Sequence, residues 1–156
     1  MKAHQRRLSD KEKQRLRRSL PWFGKRRQDR LADIEQGVAD VYEFEVTRMW
    51  DINDCRPPCC PYTILFETTD DLFVYIDSWD EVERQESVTG ESRLILESTP
   101  GAKRLIRSRI EGQTPIKHSE KLRELNEFFE IDGEAEWRTF TRLEMPDDVV
   151  ATLEAV

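Results

Sequence analysis

From residue 41 to residue 51 the chain alternates. Tyr42, Phe44, Val46 and Trp50 are interleaved with Glu43, Glu45, Thr47 and Asp51, the period-two pattern of a half-buried strand. Two further strands are predicted over residues 62–68 and 72–77, joined by Thr69, Asp70 and Asp71 in a tight hairpin. Both are rich in β-branched and aromatic residues, which places them near the centre of a sheet, with Ile64, Phe66, Val74 and Ile76 among the core positions. Residues 78–89 are polar and acidic and are compatible with one helical turn or an irregular strand. Leu94, Ile95 and Leu96 mark another strand, closed by the turn dipeptide Pro100–Gly101. Residues 102–110 alternate again, with Ile106 and Ile110 expected inside and Arg104, Arg107 and Arg109 in an exposed row. A short last strand is predicted over residues 137–142.

Helical patterns flank the strands. Ser9 and Glu12 form a capping-box signature, so a helix should run to about Leu20 and stop before Pro21. Its apolar content is only Leu16 and Leu20, so the helix has to dock on something to persist. Pro21 can open a second helix with Phe23, Leu31, Ile34 and Val38 near one face, Arg27 in the gap and Gly37 as the stop. Trp22 and Phe23 are then expected to anchor this helix on the body. Toward the other end, Ser119 caps a helix carrying Leu122, Leu125, Phe128 and Phe129. Pro146, Asp147 and Asp148 open a last one with Val149, Val150, Leu153 and Val156 on its apolar face.

Strands in succession, without strand–helix–strand alternation, predict the α+β class. The expected architecture is an antiparallel meander of five or six strands, strongly bent or a partly open barrel, with the N-terminal and C-terminal helices packed on it. Two units are expected, a basic helical N-terminal arm over residues 1–37 and an acidic α+β domain over residues 38–156.

Charge sharpens that division. The chain of 156 residues carries a net charge of −7. Residues 1–30 hold 12 basic and 3 acidic side chains, net +9, leaving 13 basic and 29 acidic for the rest, net −16. A sign change this large between segments is the clearest functional hint. The candidate partner-binding residues are therefore Arg15, Arg17, Arg18, Trp22, Phe23, Arg26 and Arg27. Docking of the arm is expected to set Arg15, Arg17 and Arg18 against carboxylates, with Leu16 and Leu20 as a small apolar patch.

Candidate chemistry is sparse. Cys55, Cys59 and Cys60 sit in one proline-rich loop. Three thiols without a second Cys pair fall short of a closed zinc site, so no metal is expected, and the thiols are expected to be reduced in a cytoplasmic protein; a Cys55–Cys59 or Cys55–Cys60 disulfide is the alternative on oxidation. No G-x-S-x-G turn, P-loop or G-x-G-x-x-G occurs, and His118 is the histidine available to a cysteine dyad. Asp70, Asp71, Asp77, Asp80, Glu81, Glu83 and Glu86 crowd one region, which a solvated rim explains more simply than catalysis. No cofactor and no catalytic residue is expected. No apolar run is long enough for a membrane helix, and none follows the basic start as a secretory signal would require. The expected function is a small non-enzymatic binding or protein-interaction module, with a protein partner or self-association. A nucleic-acid-binding protein using the arm is the alternative, and a hydrolase on the acidic hairpin a remote one.

Overall fold

The computed structural model describes residues 1–53, 57–87 and 90–156. Over these residues it is α+β, with a mixed nine-stranded sheet that does not close and four α-helices. In chain order the elements are β1 (Lys2–Arg7), α1 (Asp10–Arg18), α2 (Lys25–Gln36), β2 (Val38–Asp51), β3 (Tyr62–Thr68), β4 (Leu72–Ser78) and β5 (Glu83–Gln85). They continue as β6 (Arg93–Ser98), β7 (Leu105–Glu111), β8 (Ile116–Lys117), α3 (Asn126–Phe129), β9 (Trp137–Thr141) and α4 (Asp147–Glu154). The sheet order is β5-β7-β6-β2-β3-β4-β9, with β1 and β8 also pairing to β2.

The antiparallel meander is corrected in two respects. β5 runs parallel to β7 and β8 parallel to β2, and the strands number nine. The reason is the length of β2. Its first half pairs with β1 and β6 and its second half with β3 and β8, so one strand belongs to two halves of a bent sheet. The bend coincides with a register shift between Val46 and Arg48. One extra residue inverts side-chain parity beyond it. Phe44, Val46 and Met49 therefore share one core, while Trp50 turns to the opposite face with Ile52, against the expectation that it follows Phe44 and Val46.

β7 repeats the device. The register slips between Glu97 and Ser98, skipping Ile106. Leu105 and Ile110 join the main core, and Ile106 faces the other way, beneath α1 with Leu8 and Ala39. β3 and β4 are buried on both faces, which explains the uninterrupted apolar run Ile64–Leu65–Phe66. Ile64, Phe66, Val74 and Ile76 fill the core shared by the two halves of the sheet, as expected. Leu65, Phe73 and Tyr75 meet Leu122, Leu125 and Phe129, and beyond them Val149 and Leu153 of α4.

Residues 2–7 form β1 although they are basic and lack β-branched residues. Six residue pairs, Lys2 with Glu43 through Arg7 with Val38, complete the ladder on β2. The edge of β2 supplies the hydrogen-bond partners and Arg6 meets Glu97, so tertiary pairing overrides weak local propensity.

Candidate interaction surface

The site is built from the two N-terminal helices and the turn between them. Ser9 caps α1 in a full capping box with Glu12. Glu12 also receives two hydrogen bonds from the Arg6 guanidinium, at 2.9 and 2.6 Å, and Arg6 reaches Glu97 at 3.1 Å. The Arg6 hydrogen bonds hold the Glu12 carboxyl down to about 2. Leu16 packs on the small cluster of Leu8, Ala39 and Ile106. So α1 docks through Arg6, Glu12, Glu97 and Leu16. Among the described residues the expected contacts of Arg15, Arg17 and Arg18 with carboxylates do not form. Arg15 donates to the Ile106 carbonyl at 2.6 Å, and Arg17 and Arg18 make no ion pair among the described residues.

α2 is fixed at several points. Buried Asp33 accepts from the amides of Gly101 and Ala102 at 2.9 and 3.0 Å. A Cβ on Gly101 would lie 2.7 Å from Asp33 Oδ1, so any larger residue there would displace the Asp33 carboxylate. Arg26 and Arg30 pair with Glu134 at 3.4 and 3.2 Å. Arg30 also donates to the Ser19 carbonyl at 2.7 Å and Arg27 to the Pro21 carbonyl at 3.0 Å, which braces the inter-helix turn from below. Gly24, at φ +94°, precedes the helix.

On this braced turn Trp22 is 93% exposed and Phe23 84% exposed. The expectation that they anchor the helix on the body is overturned. The helix begins only at Lys25, so both aromatics precede its inward stripe, and α2 buries only Asp33 and Ile34. Arg17, Arg18 and Arg27 surround Trp22 in a shallow hollow of about 690 Å³ floored by Leu20 and Leu31. The structure thus gathers Arg17, Arg18, Trp22 and Arg27, with Phe23 on the same turn. It diverts Arg26 toward Glu134 and places Arg15 on the far side of α1.

That far side is a second, acidic surface. A cleft of about 510 Å³ is lined by Arg15, Leu16, Ser19, Trp79, Asp80 and Glu136, among others. Trp79 is 59% exposed in the loop after β4, followed by exposed Asp80 and Glu81. Sequence reasoning passed over Trp79; its signal is a large aromatic in an acidic stretch that no apolar period accounts for. Behind the loop Ser78 Oγ donates to Glu136 at 3.0 Å and accepts from the Asp80 amide, while Arg104 lies 3.4 Å from Glu136. Burial raises the Glu136 carboxyl, against the pull of Arg104 and Ser78. Burial also raises that of Asp77, with Glu130 adding to it.

Other chemistry is not assembled. Among the described residues no group of three or more His, Cys, Asp or Glu side chains is placed to hold a metal ion. Cys60 is disulfide-bonded, which corrects the expectation of reduced thiols at that position, and Cys59 is free and exposed. Because Cys59 is free, the expected alternative of a Cys55–Cys59 disulfide is overturned; Cys55, and with it the Cys55–Cys60 pairing, lies outside the described residues. His118 Nδ1 stands 3.7 Å from buried Asp51. No helix among the described residues is long and apolar enough to cross a membrane. Compared with known protein families, curated proteins and solved structures, the chain matches none.

Proposed function

We propose that this protein is a non-enzymatic binding module whose contact surface is the Trp22–Phe23 turn with Arg17, Arg18 and Arg27. The observation that carries the reading is two large aromatics almost fully exposed on a turn held from below by Arg27 and Arg30. Exposed aromatics beside arginines are the residue types that dominate protein interfaces. A rigid turn also loses little conformational freedom on binding. Three guanidiniums around an apolar floor of Leu20 and Leu31 suit an acidic protein segment with an apolar anchor residue. The leucine floor favours that partner over single-stranded nucleic acid, which stacks on aromatic faces and tracks cations.

The test is titration of a fluorescent peptide of alternating Glu and Leu, and of labelled oligothymidylate, into the full chain. The peptide should bind, and Trp22→Ala should weaken it about 10-fold, the effect of losing an interface anchor. Preferential oligothymidylate binding, lost steeply with salt, would establish the nucleic-acid alternative. Failure of both probes would refute the proposal. Cytoplasmic location belongs to the same proposal and has to accommodate the disulfide of Cys60, because disulfides persist in oxidising compartments.

A further inference from the structure

This inference rests on the Trp22–Phe23 turn being the binding surface, and it names the partner. The end of α1 separates two surfaces of opposite charge. Arg17, Arg18 and Leu20 line the basic hollow, whereas Arg15, Leu16 and Ser19, on the other side of the same helix end, line the cleft with Trp79 and Asp80. Each surface presents an exposed tryptophan. Each also carries charges without an ion-pair partner among the described residues, Arg17 and Arg18 on one, Asp80 and Glu81 against the single Arg15 on the other.

We propose that the partner is a second copy of this chain, with the basic aromatic turn of each protomer seated on the acidic Trp79 loop of the other. A closed two-fold pair requires a self-complementary surface, so that a patch meets its complement on both sides at once. Two complementary patches flanking one helix end provide it, with the axis passing beside that end. Charge complementarity steers and orients the encounter, and the aromatics supply the area removed from water. Each copy carries a net charge of −7, so the two repel at long range and the attraction is local, between the Arg17–Arg18 and Asp80–Glu81 patches once they come within a Debye length.

Sedimentation velocity of the full chain tests this, from about 1 to 300 µM in about 50 mM and 500 mM salt. The wild type should dimerise with rising concentration and dissociate about 10-fold more readily in high salt. The variants Arg17→Glu/Arg18→Glu and Asp80→Lys/Glu81→Lys, altered on independent elements, should each self-associate at least about 10-fold more weakly. Their equimolar mixture should recover the dimer, because reversed turn then meets reversed loop and native turn meets native loop. A wild type monomeric throughout, growth into open-ended species, or a mixture that stays monomeric would overturn the proposal. If the chain is monomeric while the acidic peptide still binds at Trp22, only the identity of the partner is refuted. A dimer indifferent to Arg17→Glu/Arg18→Glu and to Trp22→Ala would refute the dimer contact proposed here.

Discussion

Phe66 and Trp22 are both aromatic, but folding buries one completely and leaves the other 93% exposed. Truncating each to alanine therefore removes an aromatic ring from two opposite environments. Phe66 sits on β3 in the core shared by the two halves of the sheet, with Phe44, Met49, Val74 and Leu96. A buried aromatic removes about 150–250 Å² from water, at about 25 cal/mol per Å². Alanine retains part of that area, but the close-packed surroundings relax only partly around the void. The expected loss for Phe66→Ala is about 3–5 kcal/mol, a large share of a total stability of about 5–15 kcal/mol. Trp22→Ala should cost less than about 0.5 kcal/mol, because its ring is already in water. Equilibrium urea unfolding followed by far-UV circular dichroism gives both values, with the slope in denaturant showing whether unfolding stays two-state. A Phe66→Ala loss below about 1 kcal/mol, or an equal loss at the two positions, would refute the assignment of faces. If Phe66→Ala does not fold, the smaller truncation Phe66→Leu should still destabilise more than Trp22→Ala.

Two further predictions concern how the helices are held. Asp33→Ala leaves the partly buried amides of Gly101 and Ala102 without their acceptor and should cost about 1–3 kcal/mol in urea unfolding, with Asp33→Asn milder; a loss near zero would mean that the turn does not depend on Asp33. The Glu12 carboxyl, held at about 2 by Arg6 against an ordinary 4.5, stabilises the fold above the ordinary value and loses that contribution as the pH falls through the folded one. Because the pair is partly exposed, the contribution is about 1 kcal/mol or less. Arg6→Gln should move the Glu12 midpoint up toward 4.5 in an NMR titration, and an unmoved midpoint would refute the pairing.

What the sequence determined by itself was local. The period-two run of β2 was legible because alternation follows directly from strand geometry, and β3 and β4 were legible from their β-branched and aromatic residues. The same holds for the ends of α1 and α2, where Ser9 with Glu12 and left-handed Gly37 satisfy helix termini with neighbouring atoms. The charge division, too, needed only counting. Tertiary structure decided everything that depends on a distant partner. β1 exists because the edge of β2 was available to pair with it, and β5 and β8 run parallel because connections in space, not adjacency in sequence, brought them there. The shifts near Arg48 and Ile106 invert which face a residue serves, and no alternation in the sequence marks them, since a bulge is fixed by the strand opposite. The interaction surface divided the same way. Composition singled out Arg17, Arg18, Trp22, Phe23 and Arg27, because charge and aromatic content are properties of the segment. Whether Trp22 and Phe23 faced the core or water depended on where α2 begins and on the carbonyls that Arg27 and Arg30 reach, which only the folded chain sets.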